Sequence, residues 1–281
     1  MSNEDAGAGS IAARWLLAAG LLLAAPGLAA AQSCGNTGEG FGRWLESAKA
    51  QAAKQGISRG AIDSALAGVS YDTTVIRLDR NQRSFKLSFE EFYKRRVGSA
   101  LIRRAKERLA RHKAVFDRID KQFGVPREII VAIWGLETNF GADTSGKYSI
   151  VRSLATLAYD CRRSAFFTPQ FYDAIRIVDR RDMTPEQMRG GWAGEIGQTQ
   201  FLPSPYIKYA VDYDGDGRRD LVNSVPDLLA STASFLKGHG WQRGGSWEAG
   251  SANYGVIRDW NRAEVYQRTI SIMATNLRSG N

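Results

Sequence analysis

Apolar residues recur at helical spacing over most of the chain. The segment 40–123 is rich in Ala, Lys, Arg and Glu, and its apolar positions lie three or four residues apart, as at Leu101, Ala105, Leu109, Phe116, Ile119 and Phe123. This spacing places them on one face of a helix. Gly124 indicates the end of this helical region, and Pro126 is suited to the first position of a helix that should run to about Thr138.

The residues at 141–147 (GADTSGK) predict a loop, after which helical spacing returns. It recurs in the segments SLATLAY, FTPQFYDAIRIV, PDLLASTASFLKGHG and RAEVYQRTISIMATNL. We find no internal repeat and no sustained alternation of polar and apolar residues, so we expect short loops or a small hairpin around 190–197 as the non-helical parts. The pattern predicts a mainly α-helical protein.

One apolar run, at 15–31, has a different character. It is broken by Pro26 and ends in small residues, which is typical of a secretory signal cleaved near Ala31 and Gln32. A membrane-spanning helix is the alternative, but the run is short for a hydrocarbon layer of about 30 Å. Cys34 follows Gln32 and Ser33 rather than a small apolar box, so we expect a soluble periplasmic protein rather than a lipoprotein, with no stable membrane insertion after cleavage.

Charge adds a preference for an anionic partner. The 281 residues carry a formal charge of +9, which becomes +10 without residues 1–31 because that segment has one basic and two acidic residues. Cell-wall polymer, membrane surface and nucleic acid all fit such a balance. Basic residues alternate with acidic ones, as in RRAKERLARHK, which favours a solvated helix face and argues against nucleic acid.

The two cysteines, Cys34 and Cys161, both lie beyond the signal. Export brings them into an oxidising compartment, so we expect them to form a disulfide. The chain has no CxxC motif, and both histidines, His112 and His239, are distant in sequence from either cysteine. These residues therefore do not predict a metal centre.

Glu137 lies on an apolar stripe of the helix predicted from Pro126. Ile130, Ile133 and Trp134 precede it by seven, four and three residues. Desolvation and the negative end of the helix dipole both raise the pKa of a carboxyl group at this place. A proton held near neutral pH is what a general acid for glycoside cleavage needs. Spacing alone fits a salt-bridged or solvated structural glutamate at least as well.

Four motifs resemble one known family. WGLETNFG at 134–141 is followed by SLATLAYDCRRSAFF, WAGEIGQTQFLPSPY and AVDYDGDGRRDL. In this order they are similar to the membrane-bound lytic murein transglycosylase B family, glycoside hydrolase family 103. The similarity extends over most of the chain from about Gly40 onward.

The resemblance implies a lysozyme-like helical catalytic core with additional N-terminal and C-terminal helices packed on it. The signal at 1–31 would precede a transglycosylase domain at 32–281, with a helical N-terminal part at about 40–124, a core at about 125–250 and a C-terminal helix folding back at about 251–281. Glu137 would protonate the bond between N-acetylmuramic acid and N-acetylglucosamine of peptidoglycan. The muramoyl C6 hydroxyl would then attack C1, giving 1,6-anhydro ends with no second carboxylate and no cofactor.

The resemblance also implies residues that bind the glycan. Gln200 matches a glutamine beside the reacting sugar, and its amide can donate and accept hydrogen bonds. Asn261 and Tyr266 match an asparagine and a tyrosine of the family near the C-terminus. Trp260 replaces a tyrosine of some members, which keeps a stacking surface and loses a phenol hydroxyl.

Three further positions complete this set. Gly191 replaces a serine of some members, so a hydroxyl contact is lost there. Arg163 is a candidate for binding lactyl or peptide carboxylates. Trp192 lies inside a matching motif and is a candidate for the cleft, whereas Trp241 and Trp247 fit the helical core, the commoner place for aromatic residues.

The segment DYDGDGRRDLVN resembles an EF-hand loop. Its possible Ca²⁺ ligands are Asp212, Asp214, Asp216, the Arg218 carbonyl, Asp220 and Asn223. Asn223 stands where the pattern has a bidentate glutamate, which weakens the site. A solvated turn that retains the acidic pattern is the alternative, and in either case we expect a structural role.

Two other functions stay open. A hydrolytic muramidase would need Glu195 as a second carboxylate, although the family counterpart of Glu195 can be apolar. A non-catalytic peptidoglycan-binding protein would not need Glu137 and Gln200 together. A calcium sensor is disfavoured because the chain has one imperfect loop and four methionines.

Overall fold

The computed structural model describes residues 34–81, 87–144 and 146–280. The predicted signal at 1–31 lies outside the described residues. After a 3-10 turn at Gly38–Gly40, the chain forms the helices α1 (Phe41–Lys54), α2 (Arg59–Leu66), α3 (Thr73–Arg80), α4 (Phe89–Arg96), α5 (Ser99–Arg111), α6 (Lys113–Phe123) and α7 (Arg127–Thr138). In these described ranges, no helix is both long and apolar enough to cross a membrane.

The second half contains two short strands and the remaining helices. In chain order these are β1 (Tyr148–Ser149), α8 (Ile150–Tyr159), α9 (Ser164–Asp179), β2 (Arg189–Gly190), α10 (Pro203–Tyr209), α11 (Val225–Gly238), α12 (Ala252–Trp260) and α13 (Glu264–Ser279). The prediction of a mainly α-helical protein is confirmed. Helix α10 was not predicted, since it is short, and the single C-terminal helix expected at about 251–281 is two helices, α12 and α13.

Local signals explain several helix ends. Gly124 ends α6 in the left-handed region, with φ 71°, as predicted. Pro126 is the N-cap of α7 rather than its first residue, because its ψ of 137° is extended. Helix α4 begins with a capping box in which Ser88 and Glu91 satisfy each other's backbone N–H groups.

Helix α7 is the centre of the molecule. Ile129, Ile130, Val131, Ala132 and Ile133 are all completely buried, so the helix is apolar on every side. A helix of this kind must be surrounded by other elements. Helices α5, α6, α11 and α13 pack around it, and α13 thus brings the C-terminal part of the chain back to the core.

Two connections fix the loops beside the core. Cys34 and Cys161 form the predicted disulfide, with their Cα atoms 5.0 Å apart, so the start of the described chain is joined to the turn between α8 and α9. Strand β2 pairs antiparallel with β1, not with a local hairpin partner. The guanidinium of Arg189 supports this pairing by donating to the carbonyls of Gly146 and Lys147, both at 2.8 Å.

Candidate active site

A cleft of about 440 Å³ opens at the C-terminal end of α7. Its walls come from α7, α9, the segment between β2 and α10, α11 and the end of α12. Most of the residues predicted to act on a glycan line it: Glu137, Arg163, Trp192, Gln200, Trp260 and Asn261. Tyr266 is buried next to it.

Glu137 lies in the last turn of α7 and reaches the cleft. Burial raises the pKa of its carboxyl, and this outweighs the lowering effects of Trp260, Tyr266 and Arg96, while Glu195 raises the pKa further. Among the residues that the structure describes, Glu137 has no salt bridge. The alternative of a salt-bridged structural glutamate is therefore not supported, and the carboxyl is suited to hold a proton.

Trp260 contacts Glu137 directly. Its indole Nε1–H donates a hydrogen bond to Oε1 of Glu137 at 3.0 Å. The ring packs edge-on against Phe201 and Phe235, with centroids 5.4 and 5.0 Å away. The sequence predicted a stacking surface at this position, and the structure adds a hydrogen-bond donor to the Glu137 carboxyl.

The connection between α12 and α13 places the other two C-terminal residues. Asn261 follows α12 and accepts a hydrogen bond from the Ala263 N–H at 2.9 Å, while Gln267 donates to the Asn261 carbonyl at 3.0 Å. The Tyr266 hydroxyl is buried without a hydrogen bond of good geometry, close enough to Glu137 that the carboxyl raises the pKa of Tyr266, which burial already raises.

Gln200 lies in a tight turn with a left-handed backbone, at φ 55°. Its side-chain amide donates to the Gly197 carbonyl at 2.8 Å. Gly197 has φ 70°, and a side chain there would overlap the Leu221 carbonyl. An uncommon backbone of this kind is kept where surrounding contacts determine it.

Gln198 supplies those contacts, and sequence reasoning did not single it out. Its side chain accepts a hydrogen bond from Trp134 Nε1 at 2.9 Å and donates to the Val222 carbonyl at 2.7 Å. The Thr138 hydroxyl donates to the Gln198 carbonyl at 2.5 Å. The turn that carries Gln200 is thereby joined to the helix that carries Glu137.

Arg163 is held at the cleft by a buried carboxylate. Asp79 of α3 is 1% exposed and accepts hydrogen bonds from Arg80, Arg162 and Arg163. Burial alone would raise the pKa of Asp79, but these hydrogen bonds and the charges of Arg162 and Arg163 outweigh it and lower the pKa. Asp79 is 84 residues from Arg163 and carries no local signal, so the sequence did not reveal it.

Aromatic residues divide between cleft and core. Trp192 is partly buried and lines the cleft, while Trp241 and Trp247 are buried, which confirms the interpretation of both as core residues. Phe166 is 50% exposed and also lines the cleft. The sequence signal for Phe166 is the phenylalanine pair that ends the motif SLATLAYDCRRSAFF.

The acidic turn at 212–223 does not gather the whole predicted ligand set. Within the described part of the chain, Asp212 and Asp214 come together with Asp227, which was not predicted, and their ligand atoms lie within 4.8 Å of one another. Asp220 instead accepts hydrogen bonds from the Val222 and Asn223 N–H groups at 2.8 Å. Asp216 accepts one from the Arg218 N–H at 2.8 Å.

Asp227 is fully buried at the start of α11, and sequence reasoning missed it because it lies beyond the EF-hand-like segment. Burial raises the pKa of its carboxyl, against hydrogen bonds from the backbone N–H groups of Tyr213, Asp220 and Asp214. Three carboxylates with oxygen donors suit a hard cation such as Ca²⁺. The residues present therefore fit a cation through Asp212, Asp214 and Asp227, and calcium binding stays a prediction.

The fold is mainly helical, and its cleft is lined by Glu137, a glutamate whose pKa is raised by burial. Residues 40–251 match the family model described as transglycosylase SLT domain. This match extends over most of the chain, so the chain belongs to the transglycosylase SLT domain family.

Two relatives give the degree of similarity. Membrane-bound lytic murein transglycosylase B of Escherichia coli (strain K12) is 37% identical over 134 residues, which are 47% of this chain and 37% of that protein. The chain thus matches little more than a third of the length of this relative. SltB3 from Pseudomonas aeruginosa, solved in complex with NAG-anhNAM-pentapeptide, is 30% identical with a TM-score of 0.80, covering 86% of this chain and 80% of that one.

SltB3 was also solved with NAG-NAM-pentapeptide, with the same identity and TM-score. The soluble lytic transglycosylase SltB1 from P. aeruginosa is 23% identical, with a TM-score of 0.77 over 84% of this chain and 98% of that one. At this identity SltB1 supports the fold alone. The expected lysozyme-like core with added helices is confirmed.

Proposed function

We propose that the protein is a lytic transglycosylase that cleaves the β-1,4 bond between N-acetylmuramic acid and N-acetylglucosamine in peptidoglycan, with Glu137 as both acid and base. The observation that carries this proposal is the raised pKa of a glutamate that reaches a cleft and has no salt bridge among the described residues. Family membership and the muropeptides bound to SltB3 support the same substrate.

In the first step, Glu137 donates its proton to the oxygen that joins the two sugars. The bond between this oxygen and the muramoyl C1 breaks, and the N-acetylglucosamine side leaves as an alcohol. The muramoyl N-acetyl group stabilises the cationic C1, as in substrate-assisted glycosidases. Burial of Glu137 favours this step, because it raises the pKa of the carboxyl and so favours its protonated form.

In the second step, the C6 hydroxyl of the same muramoyl residue attacks C1. Glu137, now ionised, takes the hydroxyl proton, and a 1,6-anhydro bond forms. No water enters the products. A C6 hydroxyl held close to C1 has an effective concentration far above that of bulk water, so one carboxyl group suffices for both steps.

The other cleft residues bind and orient the glycan in this proposal. Gln200 and Asn261 offer amide groups that can donate to and accept from N-acetyl and hydroxyl groups. Trp192 and Trp260 offer ring faces to the sugars. Arg163 offers a guanidinium, fixed by Asp79, to the lactyl or peptide carboxylates.

Tyr266 and Trp260 both act on Glu137. The indole N–H is a hydrogen-bond donor to the carboxyl, and the buried phenol lies beside it. Both groups favour the ionised form that the second step needs, while burial favours the protonated form that the first step needs. This balance suits a carboxyl that must first donate a proton and then accept one.

A hydrolytic muramidase is the second candidate, because Glu195 is a second carboxyl in the cleft. In that case water would attack C1, and Glu195 would accept its proton. The products distinguish the two. Purified sacculi are incubated with the mature protein in ¹⁸O-labelled water, and the soluble muropeptides are analysed by mass spectrometry before and after borohydride reduction.

We expect 1,6-anhydro ends that contain no solvent oxygen and resist reduction. Reducible ends carrying ¹⁸O as the main product would contradict the proposal and favour the hydrolase. Binding to sacculi without any soluble product would favour a non-catalytic peptidoglycan-binding protein.

The site of action follows from the substrate. We propose that residues 1–31 direct export and are removed, so that the enzyme works in the periplasm. The disulfide between Cys34 and Cys161 supports an oxidising compartment. N-terminal sequencing of protein recovered from the periplasm tests the cleavage site.

We also propose that the turn at 212–223 binds Ca²⁺ with a structural role. Asp212, Asp214 and Asp227 would supply the charged oxygens. The ion would stabilise the segment that follows the Gln200 turn, and the reaction at Glu137 does not require it.

A further inference from the structure

Glu195 is a carboxyl group of the cleft that the proposed reaction does not use. It lies in the turn after β2, where its carbonyl accepts a hydrogen bond from the Gly191 N–H at 3.0 Å. Its side-chain oxygen Oε2 accepts one from the Ala193 N–H, also at 3.0 Å. The carboxyl therefore folds back over its own turn and stays in the wall that it shares with Glu137.

Gly191 leaves the space that this carboxyl needs. A Cβ atom at position 191 would overlap Oε2 of Glu195. The backbone of Gly191 is not in the left-handed region, so an L-residue could adopt it. Glycine is thus needed here because it leaves space, and not because of its backbone conformation. The Glu195 carboxyl occupies the space that a side chain at position 191 would fill.

The groups around Glu137 act on its pKa in opposite directions. Arg96 from α4, Trp260 from α12 and Tyr266 from α13 each favour the ionised carboxyl. Burial and Glu195 favour the protonated one. The pKa of Glu195 is itself raised, because burial outweighs the backbone N–H groups and Arg163, which lower it.

We propose that Glu195 is a positioning residue of the reaction: its carboxyl takes the side-chain place left free by Gly191 and acts on Glu137 as a neighbouring carboxyl of the same cleft. It does not act on the glycosidic bond. This inference rests on the proposed function of Glu137. It differs from the hydrolase alternative, in which Glu195 would activate water.

The test is the pH profile of Glu195→Gln. The amide has the shape of the carboxyl and still offers an oxygen to the Ala193 N–H, but it carries no charge. Loss of a negative neighbour makes Glu137 easier to ionise, so the alkaline limb of the kcat/KM profile moves to lower pH. Activity falls more near neutral pH than at acidic pH, with an unchanged melting temperature and 1,6-anhydro products.

Gly191→Ala is the matched second variant. Its methyl group needs the volume of Oε2, and the Glu195 carboxyl is flexible enough to rotate away from it. We expect the same displacement of the alkaline limb. In the double variant Gly191→Ala/Glu195→Gln the two effects do not add, because both remove the same charge from the same place.

Three results overturn the inference. One is a Glu195→Gln profile that superimposes on that of the parent. Another is a double variant in which both shifts add in full. The third is a parent protein that makes reducible ends together with a Glu195→Gln variant that has no turnover. This result would make Glu195 a catalytic residue.

Failure of the proposed function is distinguishable from failure of this inference. If the parent does not cleave sacculi, the function is wrong, but the geometry is still testable by crystallography of the Gly191→Ala variant. A Glu195 carboxyl that stays on the Ala193 N–H in that variant would contradict the shared side-chain position.

Discussion

Trp260 donates its indole N–H to Oε1 of Glu137 at 3.0 Å, across 123 residues of sequence. This hydrogen bond favours the ionised carboxyl, whereas burial favours the protonated one. The pKa of Glu137 is therefore adjusted from the C-terminal part of the chain. Because α13 packs along α7, the residues that adjust Glu137 and the helix that carries it are held by the same core.

Trp260→Phe tests this relationship. The variant keeps an aromatic ring and loses the donor, so the pKa of Glu137 should rise further and the alkaline limb of the kcat/KM profile should move to higher pH. This is the opposite direction from that expected for Glu195→Gln. Trp247→Phe is the control, since its indole donates to Thr275 outside the cleft. A profile that moves equally in both variants would contradict the role of Trp260.

Glu137→Gln should abolish the release of muropeptides, because the amide cannot donate the required proton. Its stability should depend on pH in a defined direction. A carboxyl whose pKa is raised by folding stabilises the native state at low pH and loses that contribution as the pH rises. The variant should therefore melt above the parent near neutral pH, with a difference that shrinks on acidification.

Glu46→Gln is the control for this measurement, because Glu46 is exposed on α1 and pairs with Lys49 on the surface. Equal pH dependence of the melting temperature in the parent and in Glu137→Gln would contradict the raised pKa. Parent-like turnover by Glu137→Gln would refute its assignment as the acid.

Asp79→Asn should weaken the ion pair and hydrogen bond that hold Arg163 at the cleft. The binding of peptide-bearing glycan should weaken as a result. We expect a higher KM for sacculi than for the parent, and a smaller change for glycan strands whose peptides have been removed by an amidase. Folding lowers the pKa of the Asp79 carboxyl, so this group stabilises the native state at pH values above the pKa of an unfolded aspartate. The contribution is lost as the pH falls towards the lowered pKa of the folded state. The gain of stability with pH should be smaller in the variant.

An equal loss on both substrates would show that Asp79 has a structural role alone. Arg163→Lys further separates an effect on substrate binding from an effect on stability. It keeps a positive charge and loses the planar guanidinium, so it should impair peptide-bearing substrate while the melting temperature changes little.

Cys34→Ser/Cys161→Ser should unfold at lower urea concentration than the oxidised parent. The disulfide closes a loop with a sequence separation of 127, for which loop entropy gives about 4–5 kcal/mol as an upper figure. Reduction of the parent should give a similar loss, while reductant should not change the double variant. Two free thiols in non-reducing peptide maps of periplasmic protein would contradict the pairing.

Calcium should raise the melting temperature of the mature protein. Saturation at about 100 times the dissociation constant would add about 2.7 kcal/mol through binding linkage. Asp214→Asn should reduce the effect, because Asp214 is one of the three carboxylates that come together. The same melting temperature in chelator and in millimolar calcium would favour a turn that binds no cation.

Local sequence signals determined a large part of this protein. The apolar stripe before Glu137 indicated a carboxyl whose pKa is raised by desolvation, with a structural glutamate as the open alternative, and Gly124 predicted a helix end, because helical spacing and caps act within a few residues. The motif residues around Arg163, Trp192 and Gln200 identified the family and thereby the walls of the cleft.

Only the tertiary structure decided how the site works. Trp260 meets Glu137, Asp79 meets Arg163 and Asp227 joins the acidic turn through helix packing. No local spacing encodes these contacts, since they depend on which helix faces meet once α7 is buried on every side. The volume shared by Gly191 and Glu195 likewise exists only in the folded turn, because backbone hydrogen bonds bring position 195 back onto position 191.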